Sequence, residues 1–165
     1  MGKSKIFTRP LKVDEDSLSS LISNAMGDTC GVGWWKEKDE EEYEQAKAEL
    51  IKEGRDNPCM EDVWARMLFN GGKLMLLDPE SDWHWSGHEK GELLWNWQIQ
   101  AEGAEPEGGD WHEVGLDEII KGLNLYFDEK PAAGCGDLES ILEDGDFWDA
   151  DCVFQYAMYG EVIYG

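Results

Sequence analysis

Apolar positions recur with a helical period along much of the chain. Leu18, Leu21, Ile22, Ala25 and Met26 form one stripe, which Asp14 or Asp16 can cap and Gly27 can stop. Residues 39–53 predict a second helix, with acids in the first turn that suit its dipole. Its stripe (Tyr43, Ala46, Leu50, Ile51) is narrow, so most of it faces solvent. Asn57-Pro58 opens a third helix with Pro at the first helical position, a stripe of Met60, Val63, Trp64, Met67 and Leu68, and a stop at Asn70-Gly71-Gly72. Leu116, Ile119, Ile120 and Leu123 mark a fourth. Leu138, Ile141 and Leu142 mark a short turn. A last helix over 149–159, capped by Asp149, turns Val153, Tyr156 and Ala157 inward and ends at Gly160.

Strand signals are shorter. Residues 6–13, 32–35 and 73–77 are candidates, and 161–164 reads as a final strand. Residues 94–100 alternate, with Trp95, Trp97 and Ile99 on one face and Leu94, Asn96 and Gln98 on the other. Trp83, His84 and Trp85 can pair with them across the 86–92 turn, which predicts a Trp-lined hairpin. Residues 101–110 and 128–136 read as loops. Helices and strands do not alternate regularly. The expectation is therefore one α+β domain over 1–165, with a small, mostly antiparallel sheet, about five helices and a Trp-rich hairpin.

Composition narrows the class. The chain has 165 residues, 41 % of them hydrophobic, with nine Trp, which excludes disorder throughout. Its net charge of −23 argues against direct binding to duplex nucleic acid, since a polyanion is repelled. No run approaches the ~18 apolar residues of a membrane span. Residues 1–13 are basic but lack the apolar core of a secretory signal, so a cytoplasmic protein is expected. Charge is uneven: residues 131–165 carry eight acids and no Lys or Arg, and residues 74–120 carry twelve acids and one Lys.

Catalytic signatures are sparse. There is no G-x-S-x-G, P-loop, H-E-x-x-H or G-x-G-x-x-G pattern. Cys30, Cys59, Cys135 and Cys152 are widely spaced, and the short ligand pairs of a zinc site are absent. His84 and His88 are four apart in a stretch that does not look helical. No metal or cofactor is expected. The acids from Asp144 to Asp151 superficially resemble a calcium loop but lack its spacing and its terminal bidentate Glu.

Three features suit binding instead. Glu37, Glu40, Glu41 and Glu44, with Asp39, form a carboxylate row at helical spacing, neighbours about 5–6 Å apart. Such a row approximates the charge density of a phosphate track. Glu139, Glu143, Asp144 and Asp146 form a second acidic cluster. Trp83, Trp85, Trp95 and Trp97 form a satellite core, a glycan- or base-stacking platform, or an interface hot spot, the last favoured over stacking because no basic groove accompanies them, while Trp64 and Trp148 fit core stripes.

Four segments together carry a resemblance: residues 18–35 (LSSLISNAMGDTCGVGWW), 70–78 (NGGKLMLLD), 111–123 (WHEVGLDEIIKGL) and 149–165 (DADCVFQYAMYGEVIYG). The chain resembles small acidic proteins of phages and integrative conjugative elements of gut Firmicutes, most specifically in the last segment. The resemblance brings no catalytic residue. It implies a mobile-element accessory protein in a host with defence systems.

The leading expectation is therefore a binding protein rather than an enzyme. It would be an inhibitor of the anti-restriction or anti-CRISPR type, whose acidic surface mimics nucleic acid before a basic nucleic-acid-binding protein of the host. Carboxylates would steer the encounter, and Trp83, Trp85 or Trp97 would anchor it. The alternatives are a small metal-binding or hydrolytic enzyme using the C-terminal carboxylates, and an acidic structural or regulatory domain.

Overall fold

The first helix starts at a capping residue. Asp14 sits in extended backbone and its Oδ1 accepts the Ser17 N–H at 2.7 Å, so the chain turns helical at Glu15. A computed structural model describes residues 13–27, 31–129 and 147–164. In order these form α1 (Glu15–Met26), β1 (Trp34–Glu37), α2 (Glu40–Lys52), α3 (Met60–Phe69), β2 (Leu74–Leu77), β3 (Trp83–Trp85), α4 (Asn96–Glu102), β4 (Pro106–Gly108), β5 (Trp111–Val114), α5 (Leu116–Glu129) and α6 (Phe147–Tyr159). The fold class is α+β, with two small antiparallel sheets and six helices among the described residues. The predicted strand at 6–13, apart from Val13, and the turn at 138–142 lie outside them.

β1, β2 and β5 pair antiparallel in the order β1-β2-β5. The register sets Trp35, Leu76 and His112 on one face with Glu37, Leu74 and Val114. That face meets the helices: Trp35 stacks on Trp64 (6.3 Å between centroids) and meets Phe154 edge-on (4.7 Å). Leu18, Leu21, Ile22, Val63, Leu68, Ile119, Leu123 and Val153 complete the core. Tyr156 and Ala157 pack at its margin. α5 packs closest on α6 at Gly122, where a Cβ would fall 2.5 Å from the Val153 carbonyl oxygen.

The hairpin prediction is corrected. Residues 94–100 are not a strand; α4 occupies 96–102, and β3 pairs instead with β4 (Trp83↔Gly108, Trp85↔Pro106). Asn96 through Glu102 are fair helix formers. The helix closes at Gly103, whose φ of 63° suits a residue without Cβ. The expected loop over 101–110 thus holds a helix end and a strand.

Pro58 precedes α3 rather than opening it: Asn57 takes a left-handed φ of 54°, and Cys59 is the N-cap. α6 starts at Phe147, so Asp149 lies inside its first turn rather than at the N-cap position, and it accepts the Tyr126 hydroxyl at 2.7 Å. Residues 161–164 are not a strand, because their backbone pairs with a side chain. Gln155 Oε1 accepts the Ile163 and Tyr164 N–H groups, both at 2.8 Å.

Candidate interaction surface

The predicted carboxylate row divides on folding. Glu37 lies on the inner face of β1 and its Oε2 accepts Trp64 Nε1–H at 3.1 Å, which satisfies a buried indole. Asp39 caps α2, accepting the Glu41 and Glu42 N–H groups at 2.8 and 3.4 Å. Glu40, Glu41 and Glu44 remain exposed on adjacent turns of α2. Among the described residues none of these three enters an ion pair, and neither does the exposed Glu42.

Many of the bases, by contrast, are engaged inside the fold. Arg66 reaches Glu15, Glu49 and Glu53 at 2.7, 3.3 and 2.8 Å. This holds the Glu53 carboxyl below its ordinary range and raises the guanidinium. Arg55 takes Asp16, and Lys38 and Lys73 share Glu113. Lys90 takes Asp82, and Lys36 lies 4.1 Å over the Trp111 ring. Lys47, Lys52 and Lys121 enter no ion pair among the described residues, so the unneutralised charge is predominantly, not wholly, anionic.

Of the predicted aromatic anchors, Trp83 and Trp85 are half-buried and Trp97 is 69 % exposed. Trp85 meets Trp34 and Trp83 edge-to-face at 5.5 and 5.2 Å, and Trp83 Nε1–H donates to the Pro79 carbonyl at 3.1 Å. These indoles fasten the small sheet to the outer face of the large one. Trp95 at 72 % and Leu93 at 92 % exposure join Trp97 on the arm between β3 and β4. Sequence reasoning missed this grouping because it placed Trp95 and Trp97 in a paired strand. The signal available was Gly103, a helix stop only one residue past the alternating run and its Ala-Glu extension.

The arm is tied at its base. Ser86 N–H donates to the Glu105 carbonyl at 2.8 Å, and Glu105 N–H donates to Ser86 Oγ at 3.0 Å. His88 bridges Glu92 (2.5 Å) and Glu102 (2.6 Å), an arrangement satisfied when both ring nitrogens carry protons. The Glu102 bond, and then that to Glu92, raise the His88 pKa.

Glu139, Glu143, Asp144 and Asp146 lie outside the described residues. Asp151, which completes that acidic stretch, is fully buried. Its Oδ1 accepts the Gly31 N–H at 3.0 Å and its Oδ2 the Gln155 amide at 2.7 Å. Tyr164 extends the network: its hydroxyl donates to Asp78 at 2.8 Å, which pushes its pKa up to about 12. The most specific sequence pattern thus supplies a polar clamp for the C-terminal segment, a role the sequence alone did not disclose.

Among the described residues no group of three His, Cys, Asp or Glu side chains is placed to hold a metal ion. Among them, too, no helix is long and apolar enough to cross a membrane. Cys152 is buried and Cys59 exposed. The chain matches no family model, and neither curated proteins nor solved structures give a match.

Proposed function

We propose that this chain is a cytoplasmic binding protein that presents a nucleic-acid-like anionic surface to a basic nucleic-acid-binding protein. Its setting is a mobile element, and its role is inhibition of a host defence nuclease of the restriction or CRISPR type. One observation carries the reading: Glu40, Glu41 and Glu44 stand exposed on α2 with no ion pair among the described residues, while Arg66, Lys38 and Lys73 are held by other acids of the chain. Maintaining such a face costs self-repulsion, which a basic partner relieves. Carboxylates at helical spacing steer a basic groove, and the rest of the −23 charge extends the attraction.

The test is inhibition of plasmid cleavage by a panel of purified restriction and CRISPR nucleases. The chain inhibits at least one of them, and the Glu40→Gln/Glu41→Gln/Glu42→Gln/Glu44→Gln variant inhibits it at least about tenfold less well, the loss expected when several steering charges vanish. Absence of inhibition across the panel, or undiminished inhibition by the variant, overturns the reading.

A further inference from the structure

We infer that Leu93, Trp95 and Trp97 form a docking surface for an arginine-bearing segment of a basic protein, with the indole faces taking guanidinium groups. The inference rests on the anionic reading above and names the chemistry of the contact. Three large apolar side chains at 92, 72 and 69 % exposure lie within five residues, on an arm fixed by the Ser86–Glu105 and His88 bonds. Exposure of this density on a fixed support marks an interface.

The surroundings select the occupant. Glu89 and Glu105 are exposed on the same arm, Glu92 and Glu102 are exposed beside them and engaged by His88, and Lys90 is held by Asp82, so acids outnumber bases there. A second copy of the chain is disfavoured, since each carries −23. An anionic lipid surface or nucleic acid meets the same repulsion. A cation that can also cover an aromatic face fits both features. Arginine does this better than lysine: its guanidinium is planar and weakly hydrated, stacks on indole and pairs in two places with a carboxylate. Lys36 over Trp111 shows the weaker form of this contact within the chain itself.

The test uses the full chain with two labelled decapeptides, all-arginine and all-lysine, followed by fluorescence anisotropy at one ionic strength. The arginine peptide binds about three- to tenfold more tightly, the range expected of one or two cation–π contacts. Trp95→Ala/Trp97→Ala abolishes that preference while leaving lysine-peptide binding within about twofold, because general attraction is untouched. Its circular dichroism and melting curve match the parent, since both side chains are exposed. Glu40→Gln/Glu41→Gln/Glu44→Gln lowers both affinities alike and keeps the preference. Equal binding of the two peptides by the parent, or a preference that survives loss of both indoles, overturns the docking surface and leaves the anionic reading standing. Failure of both peptides to bind at low salt overturns both. Sedimentation of the chain with neutral phosphatidylcholine vesicles, lost in the double Trp variant, overturns the choice of occupant.

Discussion

Gln155 holds Tyr164 as a neighbouring strand would: its amide Nε2–H donates to the Tyr164 carbonyl and its Oε1 accepts the Tyr164 N–H, each at 2.8 Å. The side chain is fully buried, so it satisfies backbone groups that water does not reach from that side. Gln155→Leu removes the acceptor of the Ile163 and Tyr164 amides and the donor to Asp151 Oδ2 and the Tyr164 carbonyl. A loss of about 2–4 kcal/mol follows, measured by urea unfolding. Gly31→Ala attacks the same clamp from the other side, because a Cβ there lies 2.4 Å from Gln155 Cγ and within 3 Å of both Asp151 oxygens. It costs about 1–3 kcal/mol. A variant as stable as the parent in either case would remove the clamp from the account.

Gly122→Ala sets two effects against each other. Helix propensity favours alanine inside α5 by about 1 kcal/mol. The new Cβ, however, meets backbone, 2.5 Å from the Val153 carbonyl oxygen and 3.0 Å from the Ala157 nitrogen. Backbone cannot swing aside, so α5 and α6 must separate, and overpacking of that kind costs about 2–3 kcal/mol. Net destabilisation of about 1–2 kcal/mol is expected, and a stabilised variant would show that the helices are farther apart.

These packing relations divide what the sequence disclosed from what it did not. The starts of α1 and α2 were legible because Asp14 and Asp39 each cap with their own side chain, and the stripe of Leu18, Leu21, Ile22 and Ala25 is fully buried as its period required. α4 was not legible. In a seven-residue helix the period of 3.6 is too short to separate from alternation, and Trp95 and Trp97 mimic a strand face without lying on one. β4 was hidden inside a Gly- and Glu-rich stretch because its three residues are specified by Trp83–Trp85, some twenty positions earlier. At the candidate surface, Glu40, Glu41 and Glu44 are exposed as the pattern implied, and Trp97, which the pattern left open between core and interface, is exposed too. Glu37, Trp83 and Trp85 turn out to be structural, because their polar and aromatic edges meet partners distant in sequence.

Stability of the arm depends on pH through His88. Its folded pKa is raised above 6.5 by the bonds to Glu102 and Glu92. The contribution is therefore fully present below 6.5 and is lost as pH rises through the raised folded value. Glu102, lowered by His88 and Gln98, adds the acid limb: its contribution is present above 4.5 and lost as pH falls through the lowered value. Amide exchange at 92–102, corrected for intrinsic rates, is slowest between the two limbs and quickens toward alkaline pH. His88→Gln flattens the alkaline limb, and an unchanged profile would contradict the bridge.

Trp97→Ala and Trp64→Ala should differ sharply. Trp97 is mostly exposed, so its removal changes stability by no more than about 0.5 kcal/mol. Trp64 is 1 % exposed, stacks on Trp35 and donates to Glu37, so its removal costs about 3–5 kcal/mol. Equal losses in thermal unfolding would mean that the arm folds back on the core in solution.

The most direct measurement is displacement of a labelled DNA duplex from a nuclease that the chain inhibits, titrated at low and at raised salt. Release is expected to be strictly competitive, with the affinity of the chain falling steeply as salt rises, because carboxylates and phosphates would address the same basic groove. A ternary complex that keeps the duplex bound, or an affinity indifferent to salt, would contradict the claim that the anionic face stands in for nucleic acid.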